Sequence, residues 1–293
     1  MLPSTDTPLI RLGNLFPSRQ VHGKCEFAAL SGSFKIRGAV HLLERLAQEG
    51  RTRRLVVPSM GNTALGAAVG ARAYGFHMIG VVPTTLTRAK DEKLRALGVE
   101  LRKVEGGGNA LLTTAQQVAR EQDGYFMHPH LDSLWTDGYQ AIAAEVLRDL
   151  PGCRSLVFPL GGGGLLMGLT AWFQAHPTSV RLIGCEAYNF PTYGSYTHER
   201  SATIADGLTL GQPHPEVRER IGQAGVTLRM VPDSALRSAM RGLYRAQALV
   251  VEPAAVAPLA YVADHMEELE EPVCIILTGA NIALEDFRRL IAE

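Results

Sequence analysis

The residues that could do chemistry in this sequence fall into four short stretches. The first is Ser31-Gly32-Ser33-Phe34-Lys35-Ile36-Arg37-Gly38-Ala39. Its lysine follows a Gly-Ser turn, with an aromatic before it and an aliphatic after it. Ile36, Ala39, Val40, Leu42, Leu43 and Leu46 recur at helical spacing, so the Ser-Gly-Ser turn is expected to supply an N-cap and Lys35 to lie in the first helical turn. The positive end of the helix dipole and the apolar neighbours both disfavour a cation there and lower a lysine pKa. A neutral, positioned amine is suited to Schiff-base chemistry. Read alone, the segment fits an exposed lysine equally well.

The second stretch, Gly161-Gly162-Gly163-Gly164-Leu165, lies between an apolar strand and an apolar helix. Backbone amides at a helix start, reachable because no side chain covers them, form a site for phosphate. It is neither G-x-G-x-x-G nor followed by a Walker-type lysine, which weakens dinucleotide and nucleoside-triphosphate readings. Ser59-Met60-Gly61-Asn62-Thr63 is a second such turn, whose hydroxyls and amides would grip a carboxylate or a phenolate oxygen. Thr278-Gly279-Ala280-Asn281 offers a hydroxyl that can meet a heterocyclic nitrogen without placing a charge on it. Singly, each also fits a tight turn or a helix cap.

The elements that must hold these stretches alternate. Strands are expected at Thr7–Leu12, Val21–Phe27, Arg53–Pro58, Met78–Val82, Glu100–Val104, Ser155–Leu160, Val180–Glu186, Thr227–Val231 and Val273–Leu277. Helices are expected to follow Lys35 and over Ala64–Tyr74, Thr87–Leu97, Ala110–Gln122, Gln140–Leu150, Leu165–Ala175, Ser234–Gln247, from Pro253, and Leu284–Ala292. Alternation of this kind predicts an α/β protein with open, mostly parallel twisted sheets flanked by helices. The stretch from Tyr188 to Gly222 reads as irregular, a wrap around a site or an interface. With no linker in sight, a smaller domain (49–139, carrying Ser59–Thr63) is expected to be inserted into a larger one (1–48 with 140–293).

Composition narrows the function classes. The chain has 293 residues, 46% of them hydrophobic and 20% charged, with 29 basic and 29 acidic side chains. That balance carries no nucleic-acid footprint and no basic membrane face. Lysine is scarce: beyond Lys35 there are only Lys24, Lys90, Lys93 and Lys103. Cys25, Cys153, Cys185 and Cys274 are widely spaced in apolar surroundings and read as buried thiols, with neither disulfide nor metal. Met1–Asp6 lacks the basic and apolar regions of a leader, and no apolar run approaches membrane-spanning length, so a cytoplasmic protein is expected.

A lysine able to form a Schiff base, a glycine cup for phosphate, a polar loop for carboxylate and a hydroxyl for a ring nitrogen are together the parts of a pyridoxal 5'-phosphate site. The chain resembles the fold-type-II pyridoxal-phosphate enzymes of the tryptophan synthase β superfamily, in the serine/threonine dehydratase and serine racemase branch. The residues that carry the likeness are Thr7-Pro8-Leu9, Lys24-Cys25-Glu26, Ser31–Ala39, Ser59–Asn62, Gly161–Gly164, Ile204-Ala205-Asp206-Gly207-Leu208, Val251-Glu252-Pro253 and Thr278–Asn281. The resemblance implies that Lys35 holds the cofactor as a Schiff base and, once released, removes the substrate Cα proton. It implies that Phe34 lies beside the cofactor ring, that Gly161–Gly164 and Leu165 cradle the phosphate, and that Asn62 binds the 3′-oxygen. Ser59, Met60, Gly61 and Thr63 would line the substrate carboxylate, and Thr278 would face the pyridine nitrogen with Glu252 nearby. A homodimer is implied as well.

Several positions depart from that pattern. Met60 stands where racemases place a serine, and a thioether cannot transfer a proton, so racemisation is not expected. Thr63 replaces the histidine usual in dehydratases and resembles the synthase branch. Gly138-Tyr139-Gln140-Ala141 corresponds to the family's G-Q-G-T loop. Ala28-Ala29-Leu30 replaces the usual Asn-x-Pro. Glu186 of the racemase-type cation site is present, but Thr192 stands in place of a second carboxylate, so no metal is expected. The expected activity is β-elimination from a small amino acid such as L-serine or L-threonine, giving ammonia and a 2-oxo acid. Two alternatives stand beside it: β-replacement, as in cysteine or diaminopropionate synthases, and a non-catalytic protein that binds pyridoxal phosphate or an amino acid.

Overall fold

The computed structural model describes residues 6–50, 52–59, 61–196, 198–209 and 211–292, with the backbone alone at Ala89. Met60 lies outside the described residues. In chain order the elements are β1 (Leu9–Arg11), β2 (Val21–Lys24), α1 (Lys35–Gln48), β3 (Arg54–Pro58), α2 (Asn62–Tyr74), β4 (His77–Pro83), α3 (Arg88–Ala96), β5 (Glu100–Val104), α4 (Gly108–Glu121), β6 (Tyr125–Phe126), α5 (Ser133–Thr136) and α6 (Gln140–Asp149). There follow β7 (Ser155–Pro159), α7 (Gly164–Ala175), β8 (Arg181–Ala187), α8 (Pro215–Gln223), β9 (Thr227–Val231), α9 (Asp233–Gln247), α10 (Ala257–Asp264), β10 (Val273–Ile276) and α11 (Leu284–Ala292). The expected α/β alternation is present throughout.

By its contacts the chain divides into two units, a smaller one over 33–139 and a larger one formed by 6–32 and 140–293. The smaller unit holds a four-stranded sheet in the order β5-β4-β3-β6, every neighbouring pair parallel. Val56, Ile79 and Val81 of its central strands pack on Ala115 and Ala119 of α4. The sequence boundary placed residues up to 48 with the larger domain. The contacts group α1 with 33–139 instead, and the cause is a close approach of α1 to α2: a Cβ on Gly70 of α2 would lie 2.9 Å from both Ala39 Cβ and Leu43 Cδ1 of α1. Of the apolar face foreseen on α1, Ile36, Ala39, Leu42, Leu43 and Leu46 are at most 2% exposed, while Val40 is half-buried.

The larger unit holds a six-stranded sheet in the order β1-β2-β10-β7-β8-β9, parallel except for β1 against β2. Its core joins Val157, Ile183, Val273 and Ile275 of the strands to Leu236, Met240 and Leu243 of α9 and Leu259 of α10. The stretch expected to be irregular to Gly222 ends in a helix, α8. Pro215 opens it with a preset φ, Glu216 complements the dipole in its first turn, and Val217 is buried beneath it. The four cysteines are free and buried, and burial pushes the thiols of Cys25 and Cys153 up to about 12 and about 11.

One ionic group ties the larger unit together. Lys24, on β2, is fully buried; its Nζ lies 2.6 Å from Glu145 of α6 and donates to the Thr7 carbonyl at 2.5 Å. Asp6 lies farther from Nζ, at 3.5 Å and nearer the surface, and a buried cation deprived of its closest carboxylate costs far more than the pair contributes. Glu145→Leu is therefore expected to lower the unfolding free energy by about 3 kcal/mol in a urea titration, and Lys24→Met added to it to recover most of that loss.

Candidate active site

In the smaller unit the candidate residues come from the starts of α1 and α2. Lys35 is the first residue of α1, as expected, but Ser33 does not cap it. Phe34 is the N-cap residue, already in the right-handed helical region, and it makes no side-chain cap. Tight-turn bonds from Ile36 N–H to Ser33 O at 3.5 Å and from Arg37 N–H to Phe34 O at 3.0 Å begin the helix instead. The backbone at Lys35 is approached by α2 as closely as packing allows: a Cβ on Gly66 would sit 2.8 Å from the Lys35 carbonyl carbon. One turn before Gly66, α2 opens with Asn62 and buried Thr63 behind a Gly61 cap. Gly61 N–H donates to Ser59 Oγ at 3.4 Å.

Lys35 Nζ lies 4.8 Å from the centroid of the Phe34 ring and 5.8 Å from that of Tyr139. The two rings are 4.7 Å apart and tilted by 53°. Tyr139 is fully buried, and its hydroxyl oxygen accepts the indole N–H of Trp135, also fully buried. Burial pushes the phenol well above its ordinary value despite that hydrogen bond. Sequence reasoning registered Tyr139 only as a departure from a loop pattern. The W-x-x-x-Y spacing of Trp135 and Tyr139 was the available signal, since residues four apart face one another on a helical turn.

In the larger unit the four glycines connect β7 to α7. Gly163 adopts a left-handed φ of +89°, and a Cβ there would fall 2.5 Å from Val217; one on Gly161 would fall 2.7 Å from the Gly207 carbonyl oxygen. The Asp206-Gly207-Leu208 stretch thus lies directly against the glycine turn. Helix α7 starts at Gly164, has no acidic side chain in its first turn, and buries Leu165. Its unbonded N–H groups and the positive end of its dipole suit a phosphate.

Thr278 lies just beyond β10 and is 5% exposed. Its neighbour Gly279 accepts the Glu252 N–H at 3.0 Å, which places the Glu252-Pro253 turn beside this strand end. The next residues hold the chain that leads to Lys35: Ala280 N–H donates to Gly32 O at 2.9 Å and Asn281 Nδ2 to Ser31 O at 2.9 Å. Gly32 has φ +73°, and a Cβ there would meet Asn281 Oδ1 at 2.8 Å, so this latch requires glycine. Glu186, 1% exposed, accepts the N–H groups of Thr192 and Tyr193 on Oε1, both at 2.8 Å, and of Gly194 on Oε2 at 2.7 Å. Both of its oxygens therefore hold the loop that follows β8. The smaller unit thus sets an amine on an aromatic surface; the larger unit, taken by itself, has a side-chain-free helix start and a neutral buried hydroxyl.

Comparison with known proteins agrees with this geometry. Residues 2–279 match the family described as pyridoxal-phosphate dependent enzyme. L-threonine ammonia-lyase of Thermotoga maritima is 27% identical over 279 residues, spanning 93% of this chain and 70% of that protein. The T.th. threonine deaminase superposes with a TM-score of 0.83 at 28% identity, covering 96% of this chain and 93% of its own. Maize serine racemase has the same fold, with a TM-score of 0.84 at 23% identity over 98% of this chain and 92% of its own.

Gly163→Ala tests the cup. The left-handed backbone alone costs an L-residue about 1–2 kcal/mol, and the contact with Val217 adds to it. The thermal midpoint and the amount of retained cofactor are both expected to fall. Val217→Ala in the same chain is expected to return only the part due to the contact.

Proposed function

We infer the function from one premise: this chain belongs to the family of pyridoxal-phosphate dependent enzymes. It is an ammonia-lyase that eliminates the β-hydroxyl of a small amino acid of the L-serine or L-threonine type, releasing ammonia and a 2-oxo acid. Pyridoxal phosphate, when bound, supplies the electron sink that makes a Cα proton removable. Everything else is done by the chain.

We assign the anchoring of the cofactor to Lys35 Nζ, which, once released, takes the substrate Cα proton. Phe34 flanks the ring. The N–H groups of Gly161–Gly164 and Leu165 hold the phosphate, and Asn62 donates to the 3′-oxygen. The Ser59 hydroxyl, the Gly61 amide and Thr63 hold the substrate carboxylate. The observation that carries the choice of reaction is buried Thr278 at the end of β10. A hydroxyl there would meet the pyridine nitrogen of the bound cofactor without adding charge to it, which would favour loss of a β-hydroxyl over reprotonation. Of the assigned groups only Lys35 and Glu252 are ionic, which suits a small substrate with an uncharged side chain.

Thr63 supports a second reading, β-replacement, because a threonine there resembles the synthase branch. The two differ in the fate of the unsaturated product: elimination yields free 2-oxo acid, whereas replacement traps the product with an added thiol or amine. Among the described residues no helix is long and apolar enough to cross a membrane. A cytoplasmic homodimer is part of the proposal.

The purified enzyme is expected to release 2-oxo acid and ammonia in equal amounts from L-serine or L-threonine. Borohydride reduction is expected to fix the cofactor on Lys35, as peptide mass spectrometry would show. Lys35→Ala is expected to lower kcat by about a thousandfold. Absence of 2-oxo acid from every β-substituted amino acid tried, together with capture by thiol, would replace elimination with the second reading.

A further inference from the structure

We propose that Tyr139 is a positioning residue for Lys35: its ring and that of Phe34 form a two-ring shelf on which the lysine amine rests. The inference rests on the assignment of Lys35 as the reacting amine. The shelf is built by this chain's own departure from the family pattern, since Tyr139 occupies the second position of the segment that corresponds to G-Q-G-T.

The geometry is that of a cation lying on aromatic surfaces. Lys35 Nζ is 4.8 Å from one ring centroid and 5.8 Å from the other, within the range over which a ring face attracts an ammonium group. A lysine side chain has four rotatable bonds, and at a helix start facing a cofactor it must be kept from swinging away between the steps in which it is bound and released. The faces of two rings do this without offering a carboxylate that would keep the amine permanently charged.

The shelf is itself fixed. Trp135 Nε1 donates to the Tyr139 hydroxyl. The Trp135 indole lies against α1 so closely that a Cβ on Gly38 would come within 2.9 Å of its ring atoms. Gly138, immediately before Tyr139, abuts the same helix: a Cβ there would lie 2.5 Å from the Arg37 carbonyl oxygen. Tyr139 therefore cannot rotate away from Lys35 without breaking the hydrogen bond to a fully buried indole. The hydroxyl has the structural task, and the ring has the positioning task.

That division makes the proposal testable with two substitutions in the full-length chain. Tyr139→Phe keeps the ring and loses the hydroxyl; Tyr139→Leu loses both. Both are expected to lower the thermal midpoint, because Trp135 Nε1 loses its acceptor in each. Only Tyr139→Leu is expected to lower kcat by about tenfold with KM little changed, and the phenylalanine variant should recover most of that loss. An independent reading is competitive acetylation of the cofactor-depleted chain, in which Lys35 is compared with exposed Lys90 in the same molecule. Removal of the ring is expected to raise Lys35 labelling relative to Lys90 by about threefold, whereas Tyr139→Phe leaves the ratio as in the parent.

A parent-like labelling ratio and kcat in Tyr139→Leu, or equal losses in both variants in step with their stability, would overturn the proposal and leave Tyr139 a packing residue. If Tyr139→Leu does not fold, Tyr139→Met carries the same test. Borohydride mapping on the parent separates the two levels: cofactor fixed elsewhere than Lys35 removes the underlying assignment, and cofactor fixed on Lys35 leaves the shelf alone to be judged.

Discussion

The smaller unit is governed by how closely other backbone can approach α1. Three of the contacts around this helix exist only because a glycine stands at one side of each. Gly66 of α2 meets the Lys35 backbone, Gly38 of α1 itself receives the Trp135 indole, and Gly138 abuts the Arg37 carbonyl. A side chain at any of them would need space that is already filled, with hypothetical Cβ distances between 2.5 and 2.9 Å. Interiors packed at this density respond to an added methyl group by moving a whole element. The first residue of α1 is Lys35, so what fixes the helix also fixes the root of the amine.

The larger unit fixes the chain just before that helix by hydrogen bonds instead. Asn281 and Ala280 take the carbonyls of Ser31 and Gly32, and the left-handed φ of Gly32 lets Asn281 come close. Charge is used in this unit for structure: Lys24 with Glu145, and Glu186 with three backbone amides, are buried ionic groups whose partners lie within the unit. The candidate cofactor-binding surface of this unit is made of amides and a hydroxyl, with Glu252 beside the strand end.

Much of this was legible in the sequence, for reasons that differ from one element to the next. Strand β5 and helix α11 were bounded at the right residues because apolar period and turn residues coincide at their ends. The glycine run announced its own turn, since four consecutive glycines have few other uses between a strand and a helix. Helix α8 was missed because its apolar stripe amounts to little more than Val217, too few residues for a periodic signal. The cap of α1 was misplaced because Ser33, the residue type that usually caps, is drawn wholly into the interior, and Phe34 already has helical backbone angles. Neither the Tyr139 shelf nor the Asn281 latch can be read locally, because each depends on segments that meet only after folding.

The positions of the candidate residues follow a single local device used in each unit. Ser59–Thr63 follows the carboxyl end of β3 and opens α2, Gly161–Gly164 follows β7 and opens α7, and Thr278 follows β10. At the carboxyl end of a parallel strand the sheet stops and the next helix begins, so free amides, small residues and a positive dipole end occur together without further design. Such ends bind anions and polar atoms readily but do not by themselves choose a reaction. The ends differ in the single group that each adds: an amide side chain after β3, nothing but backbone after β7, and a neutral hydroxyl after β10. In the proposed lyase the threonine would meet a ring nitrogen without adding charge to it, which would favour loss of a β-substituent over reprotonation at the ring.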